Sequence, residues 1–305
     1  MEKRLKILFS VSLLILAIST VFIFTSMVSG PDESPEEDRI IVAASIMPQK
    51  EFIEKIGKEK VHVVIMVPSG ADPHTYEIEP RTLQEVSQAP LYFEVGSGLE
   101  FELNYMDKIK SVNPDMKVIN SSKGLEFIPN PEQGLDDDHG HVHAENEADP
   151  HVWTSPRNVK VMVENIYQEL IKADPENKDF YQKNKDEYIF ELEELDQKIV
   201  QEISTKENKK ILVYHPAWGY FTRDYGLQQI AIEKEGKEPT PQSMANVIEQ
   251  AKKNNIKIIF VSPQFSRDNA DFIAEELDAE VVLIDPLSPD YLENMLIVLE
   301  AFKKS

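Results

Sequence analysis

Seven histidines and no cysteine frame the chemistry open to this chain. Three of them share a setting. His74 closes the run Pro68-Ser69-Gly70-Ala71-Asp72-Pro73-His74, His151 stands in Asp149-Pro150-His151-Val152-Trp153, and His215 stands in Val213-Tyr214-His215-Pro216-Ala217-Trp218. A proline beside each histidine narrows the backbone and helps fix where the imidazole points. Asp285, in Leu283-Ile284-Asp285-Pro286, has the same kind of context. Three imidazoles and one carboxylate make a plausible tetrahedral set for zinc, with Zn–N at ~2.0–2.1 Å and Zn–O at ~2.0–2.2 Å. The spacing is long-range and matches no short metal motif. A single histidine is more often structural than a ligand, and His62, inside the apolar run Val61 to Val67, reads as structural.

The other three histidines sit in a different texture. Asp136 to Asp138 run into His139, His141 and His143, with Glu145 and Glu147 following. That composition reads as an accessory metal-attracting loop over 136–147, or as a solvated charge run with incidental histidines. The absence of cysteine excludes thiol catalysis, cysteine-ligated zinc, disulfides and an N-terminal lipidated cysteine. Lys plus Arg number 32 against 54 Asp plus Glu, a net charge of −22. Such a surface repels nucleic acid and suits the capture of cations.

Donors so far apart in the chain meet only if the fold gathers several loops. Short apolar runs alternate with helix-like segments in both halves, the pattern of parallel sheets. Strands are expected at Arg39–Ile46, Val61–Val67, Leu91–Val95 and Lys117–Asn120, then at Ile211–Tyr214, Gln229–Ile232, Ile256–Val261 and Val281–Ile284. Helices are expected at Ser243–Asn254, Asn269–Leu277 and Tyr291–Lys303. In open α/β sheets, loops at the C-terminal strand ends bind ligands, and the candidate donors fall on such loops. Between the halves, Tyr181, Tyr188, Leu192, Leu195, Ile199 and Ile203 form one continuous helical stripe. The fold expected is α/β: two lobes, each a mainly parallel four-stranded sheet flanked by helices, joined by one long helix. The boundaries are an N-terminal lobe at 39–175, a linker helix at 176–206 and a C-terminal lobe at 207–305. Ahead of them, Lys3, Arg4 and Lys6 precede an uncharged run of 22 residues from Ile7 to Val28, and an acidic linker at 31–38 follows. Residues 1–30 therefore read as a signal peptide or a retained membrane anchor, with the rest of the protein outside the cytoplasm.

These segments, together with Glu238-Pro239-Thr240-Pro241, Ile259-Phe260-Val261-Ser262-Pro263-Gln264-Phe265 and Asp285-Pro286-Leu287, resemble the zinc- and manganese-binding proteins of ABC transporters. The resemblance runs in order from about Ile40 to the C-terminus. It implies two α/β lobes linked by one long helix, with a metal in the cleft between them. By position it implies ligands at His74 and His151 from the first lobe, and at His215 and Asp285 from the second. The chain departs from the family pattern at Ser262, where relatives often carry Glu, and at Ser288, where they often carry Gly.

The third ligand bears on the metal. A histidine there resembles the zinc branch, and nitrogen-rich sites suit zinc whereas oxygen-rich sites suit manganese. The reading is an extracytoplasmic, monomeric zinc carrier that hands its ion to a membrane permease and its ATPase, with manganese or iron(II) as alternative cargo. Four protein ligands would close the coordination sphere, whereas catalytic zinc keeps a position for water. No HExxH, GxSxG or glycine-rich phosphate loop is present. The competing class is a zinc hydrolase in which Asp285 serves as base. An adhesion protein is a third reading, without a repeat or aromatic array to support it.

Overall fold

A computed structural model describes residues 39–130, 148–233 and 239–305. The N-terminal segment 1–30, the acidic linker and His139, His141 and His143 lie outside them. Eight strands form two four-stranded, wholly parallel sheets. The first holds β1 (Ile40–Ala44), β2 (Val61–Ile65), β3 (Leu91–Glu94) and β4 (Lys117–Asn120) in the order β2-β1-β3-β4. In the second, β5 (Lys210–Val213), β6 (Gln228–Ala231), β7 (Ile258–Val261) and β8 (Glu280–Leu283) repeat the scheme as β6-β5-β7-β8. Each expected strand is present to within two residues at either end.

Parallel neighbours require crossovers, and helices supply most of them. They are α1 (Met47–Gly57), α2 (Pro80–Val86) and α3 (Glu100–Val112) in the first lobe, followed by α4 (Pro156–Ala173). The second lobe carries α6 (Gly219–Tyr225), α7 (Pro241–Lys253), α8 (Asp268–Leu277) and α9 (Tyr291–Lys304). Central strands are buried on both faces, as in β7, where all four residues are buried. Edge strands are not. Leu283 on β8 is half exposed and His62 on β2 is exposed, because an edge strand has a neighbour on one side only. His62, read as structural within the apolar run Val61 to Val67, is therefore an exposed residue of an edge strand.

Between the sheets runs α5 (Lys178–Ser204), 27 residues long. All six residues of the predicted stripe are buried, and Asn184 joins them. This polar member is satisfied: its Nδ2 donates to the carbonyl of Ile56 at 3.0 Å. On the side of the first lobe, Tyr188 donates to Glu51 of α1 at 2.9 Å and Lys55 pairs with Glu191 at 2.6 Å. Towards the second lobe, Tyr225 of α6 donates to Asp196 at 2.7 Å, and Lys303 of α9 pairs with Glu202 at 3.2 Å. One helix is thus bonded to both halves, and residues Ile40–Ser305 form a single compact unit.

Candidate metal centre

The parallel ladders deliver side chains to one end of the sheets. His74 lies on the loop after β2, where the Asp72 carboxylate accepts from the His74 amide at 3.0 Å and from the Thr75 hydroxyl at 3.2 Å. His215 comes two residues after β5. The β5–β6 pairing continues past the strand ends, since the Glu233 amide donates to the Tyr214 carbonyl at 2.9 Å. Lys210 pairs with Gln228, and carrying that 18-residue offset forward sets Glu233 opposite His215. His151 precedes a 3-10 turn at Val152–Thr154, and its carbonyl accepts from the Thr154 hydroxyl at 2.9 Å.

These three loops converge. One donor atom from each of His74, His151 and His215 lies within 4.8 Å of the other two, the only such group of three among the described residues. The Nε2 atoms of His151 and His215 are 3.2 Å apart. Two nitrogens bound to one zinc at the tetrahedral angle stand ~3.3–3.4 Å apart, so this pair already has the required separation. The enclosed space is about 20 Å³, room for one ion or water-sized occupant.

Behind each imidazole stands a carboxylate. His74 Nδ1 lies 2.7 Å from Glu100, His151 Nδ1 lies 2.8 Å from Asp149, and His215 Nδ1 lies 3.1 Å from Glu233. Such partners set the tautomer and ring orientation of a ligating histidine and raise its basicity. Asp149 is wholly buried and also accepts from the His151 amide at 2.9 Å, so one oxygen grips both backbone and ring. Its other oxygen faces Gly219, where an added Cβ would come within 2.4 Å, so the close approach requires glycine. Burial lowers the His215 pKa, and the neighbouring His151 and His74 push it the same way against Glu233. Desolvation would raise Glu100, but the hydrogen bond and charge of His74 prevail and hold it low.

Asp285 follows β8 by two residues, as expected. Its carboxylate, however, is outside the close group of donor atoms. Oδ1 is held instead by the Gln264 amide and the Leu287 backbone N–H, each at 2.9 Å. Of the aromatic residues near the histidines in the chain, Trp153 flanks the site, with its ring 5.4 Å from that of His151. It also donates to the Pro286 carbonyl at 2.7 Å, tying the first lobe to the loop of Asp285. Trp218 instead packs in the core against Phe221 and Phe302, and Tyr214 lies against Phe265. Phe265 stacks on His215 with centroids 4.9 Å apart.

The model of the family described as zinc-uptake complex component A, periplasmic, matches residues 42–305. The chain belongs to this family. Family members are substrate-binding components of zinc and manganese ABC transporters, not enzymes, and they work outside the cytoplasm. The high-affinity zinc uptake system protein ZnuA of Bacillus subtilis is 31% identical over 254 residues, which cover 82% of this chain and 79% of that protein. The manganese-binding lipoprotein MntA of Halalkalibacterium halodurans is 28% identical over 237 residues, covering 76% and 73%. A crystal structure of ZnuA superposes with a TM-score of 0.81 at 38% identity, covering 88% of this chain and 99% of that one. A ZnuA deletion mutant with zinc bound gives 0.80 at 39%, covering 87% and 97%. In the zinc-uptake component A fold the two parallel sheets and the long helix are therefore shared features. Glu100 and Glu233, which steady two of the histidines, carry no local motif. Glu233 is signalled by the β5–β6 register, visible only once the strands are paired, and Glu100 reaches His74 from the first turn of α3.

Proposed function

We propose that the chain captures one zinc ion through His74, His151 and His215 and delivers it to a membrane permease driven by an ATPase. The observation that carries this reading is the convergence of three imidazoles whose Nδ1 atoms all face carboxylates. Nε2 is then the metal-facing donor in each ring, and a nitrogen-rich set favours zinc over manganese. Asp285 is the fourth donor in this proposal, reaching the ion by giving up part of its present bonding. Two features bear on manganese as the alternative cargo: a manganese-binding relative is similar over most of the chain, and the one carboxylate, the fourth donor, is a hard oxygen. The basic, apolar and acidic order of residues 1–38 supports export as a signal peptide or retention as an anchor. Metal analysis of the purified protein after chelation and competitive reloading tests the reading. We expect one tight zinc equivalent, retained over manganese and lost in His151→Ala and His215→Ala. Preferential retention of manganese would reassign the cargo.

A further inference from the structure

Gln264 stands between Asp285 and the histidines. It lines the three-histidine space together with Phe265, Pro286 and Leu287, whereas Asp285 does not. Gln264 follows β7 by three residues, in a turn closed by the Phe265 amide donating to the Ser262 carbonyl at 3.1 Å, and the next residue stacks on His215. Its Nε2 donates to Asp285 Oδ1 at 2.9 Å. A carboxylate accepts and does not donate, so this bond also settles which way the amide faces: nitrogen to Asp285, oxygen away from it. That oxygen, Oε1, is buried and has no hydrogen-bond partner among the described residues. A buried, unpaired amide oxygen is uncommon and invites a cation or a cation-bound water.

We propose that Gln264 is a selectivity latch on Asp285. This rests on the three-histidine reading above. Closed, the latch keeps the carboxylate away from the ion and leaves the cavity its three nitrogens. Open, it frees Asp285 to add a charged, hard oxygen. Imidazole nitrogens suit zinc, while carboxylates suit manganese, so a latch that withholds the carboxylate biases the site towards zinc. Asp285 must break its bond to Gln264 to become a ligand, and that cost falls hardest on the ion that depends most on a carboxylate. The backbone of the Asp285 loop stays fixed throughout, because Asn294 donates to the Asp285 carbonyl at 2.6 Å and Trp153 to that of Pro286. Only the side chain has to turn.

The test is a double-mutant cycle on the full chain, with zinc and manganese titrated separately against a competing chelator. Gln264→Ala should raise manganese affinity by about tenfold and zinc affinity by about threefold or less, given the preference of manganese for carboxylate. In the Asp285→Ala background the same change should do nothing to the manganese-to-zinc ratio. Gln264→Met, which keeps length and removes the hydrogen bond, should behave as Gln264→Ala does and guards against a simple packing defect. Equal losses for both metals in Gln264→Ala would mean that Gln264 aims Asp285 at the ion, and would overturn the latch. So would an unchanged ratio in the single variants. A wild-type protein that takes up no stoichiometric zinc overturns the three-histidine reading, and the latch with it.

Discussion

Burial and two nearby imidazoles disfavour the cation of His215 in the folded protein and lower its pKa. The sign of the resulting pH dependence follows. An unfolded histidine titrates near pH ~6.5. As pH falls through that value the unfolded chain takes up a proton that the folded chain refuses, so the contribution of this group to folding is present above ~6.5 and lost below it. Zinc needs the same neutral ring, and in the folded protein protons compete with the ion there only below ~6.5, as pH falls through the lowered folded pKa. Zinc affinity should be nearly flat above neutrality and fall steeply on acidification, which competition titrations at pH 7.5 and 5.5 would register. Equal affinity at the two pH values would exclude coordination by three imidazoles.

At the scale of elements, α5 carries the largest structural responsibility. Its buried stripe faces both lobes, and Leu192 at its middle is fully buried. Leu192→Ala removes a packed side chain that the surroundings can only partly refill, at a cost of about 2–5 kcal/mol. Denaturant unfolding should show that loss. Phe190, two residues earlier and 60% exposed, lies off the stripe, so Phe190→Ser should change stability by less than about 0.5 kcal/mol. A reversed ranking would mean that the helix packs through its other face.

For the whole molecule, a helix bonded to both lobes resists wide hinge-bending, and Trp153 adds a further tie across the site. Metal loading should bring a small tilt and local adjustment of the loops. Scattering profiles of apo and zinc-loaded protein should nearly coincide, and a change in radius of gyration typical of a wide-hinged binding protein would contradict this. The segment 136–147 is expected to act separately from the cleft, since none of the four proposed donors lies in it. Its deletion should remove weak zinc sites and keep one tight site, as counted by zinc titration. Disappearance of the tight site with the fold intact would place His139, His141 or His143 among the primary ligands.

Much of this arrangement was legible in the residues alone. Apolar runs and turn residues are local, so the strands appear within two residues of where periodicity puts them, and the stripe of α5 is buried as its spacing requires. His74, His151 and His215 stood out because proline beside a histidine is also a local signal. Edge strands were misjudged, as at His62, because composition does not say whether a strand has one neighbour or two. The carboxylates behind the histidines were invisible for a related reason. Glu233 meets His215 through a ladder offset, and Glu100 meets His74 through the first turn of α3, both products of pairing between distant segments. Most of all, the tertiary structure decided the state of Asp285. Its place after β8 was readable in the chain, but Gln264 lies between its carboxylate and the histidines because β7 and β8 are hydrogen-bonded neighbours, a relation that distance along the chain does not encode.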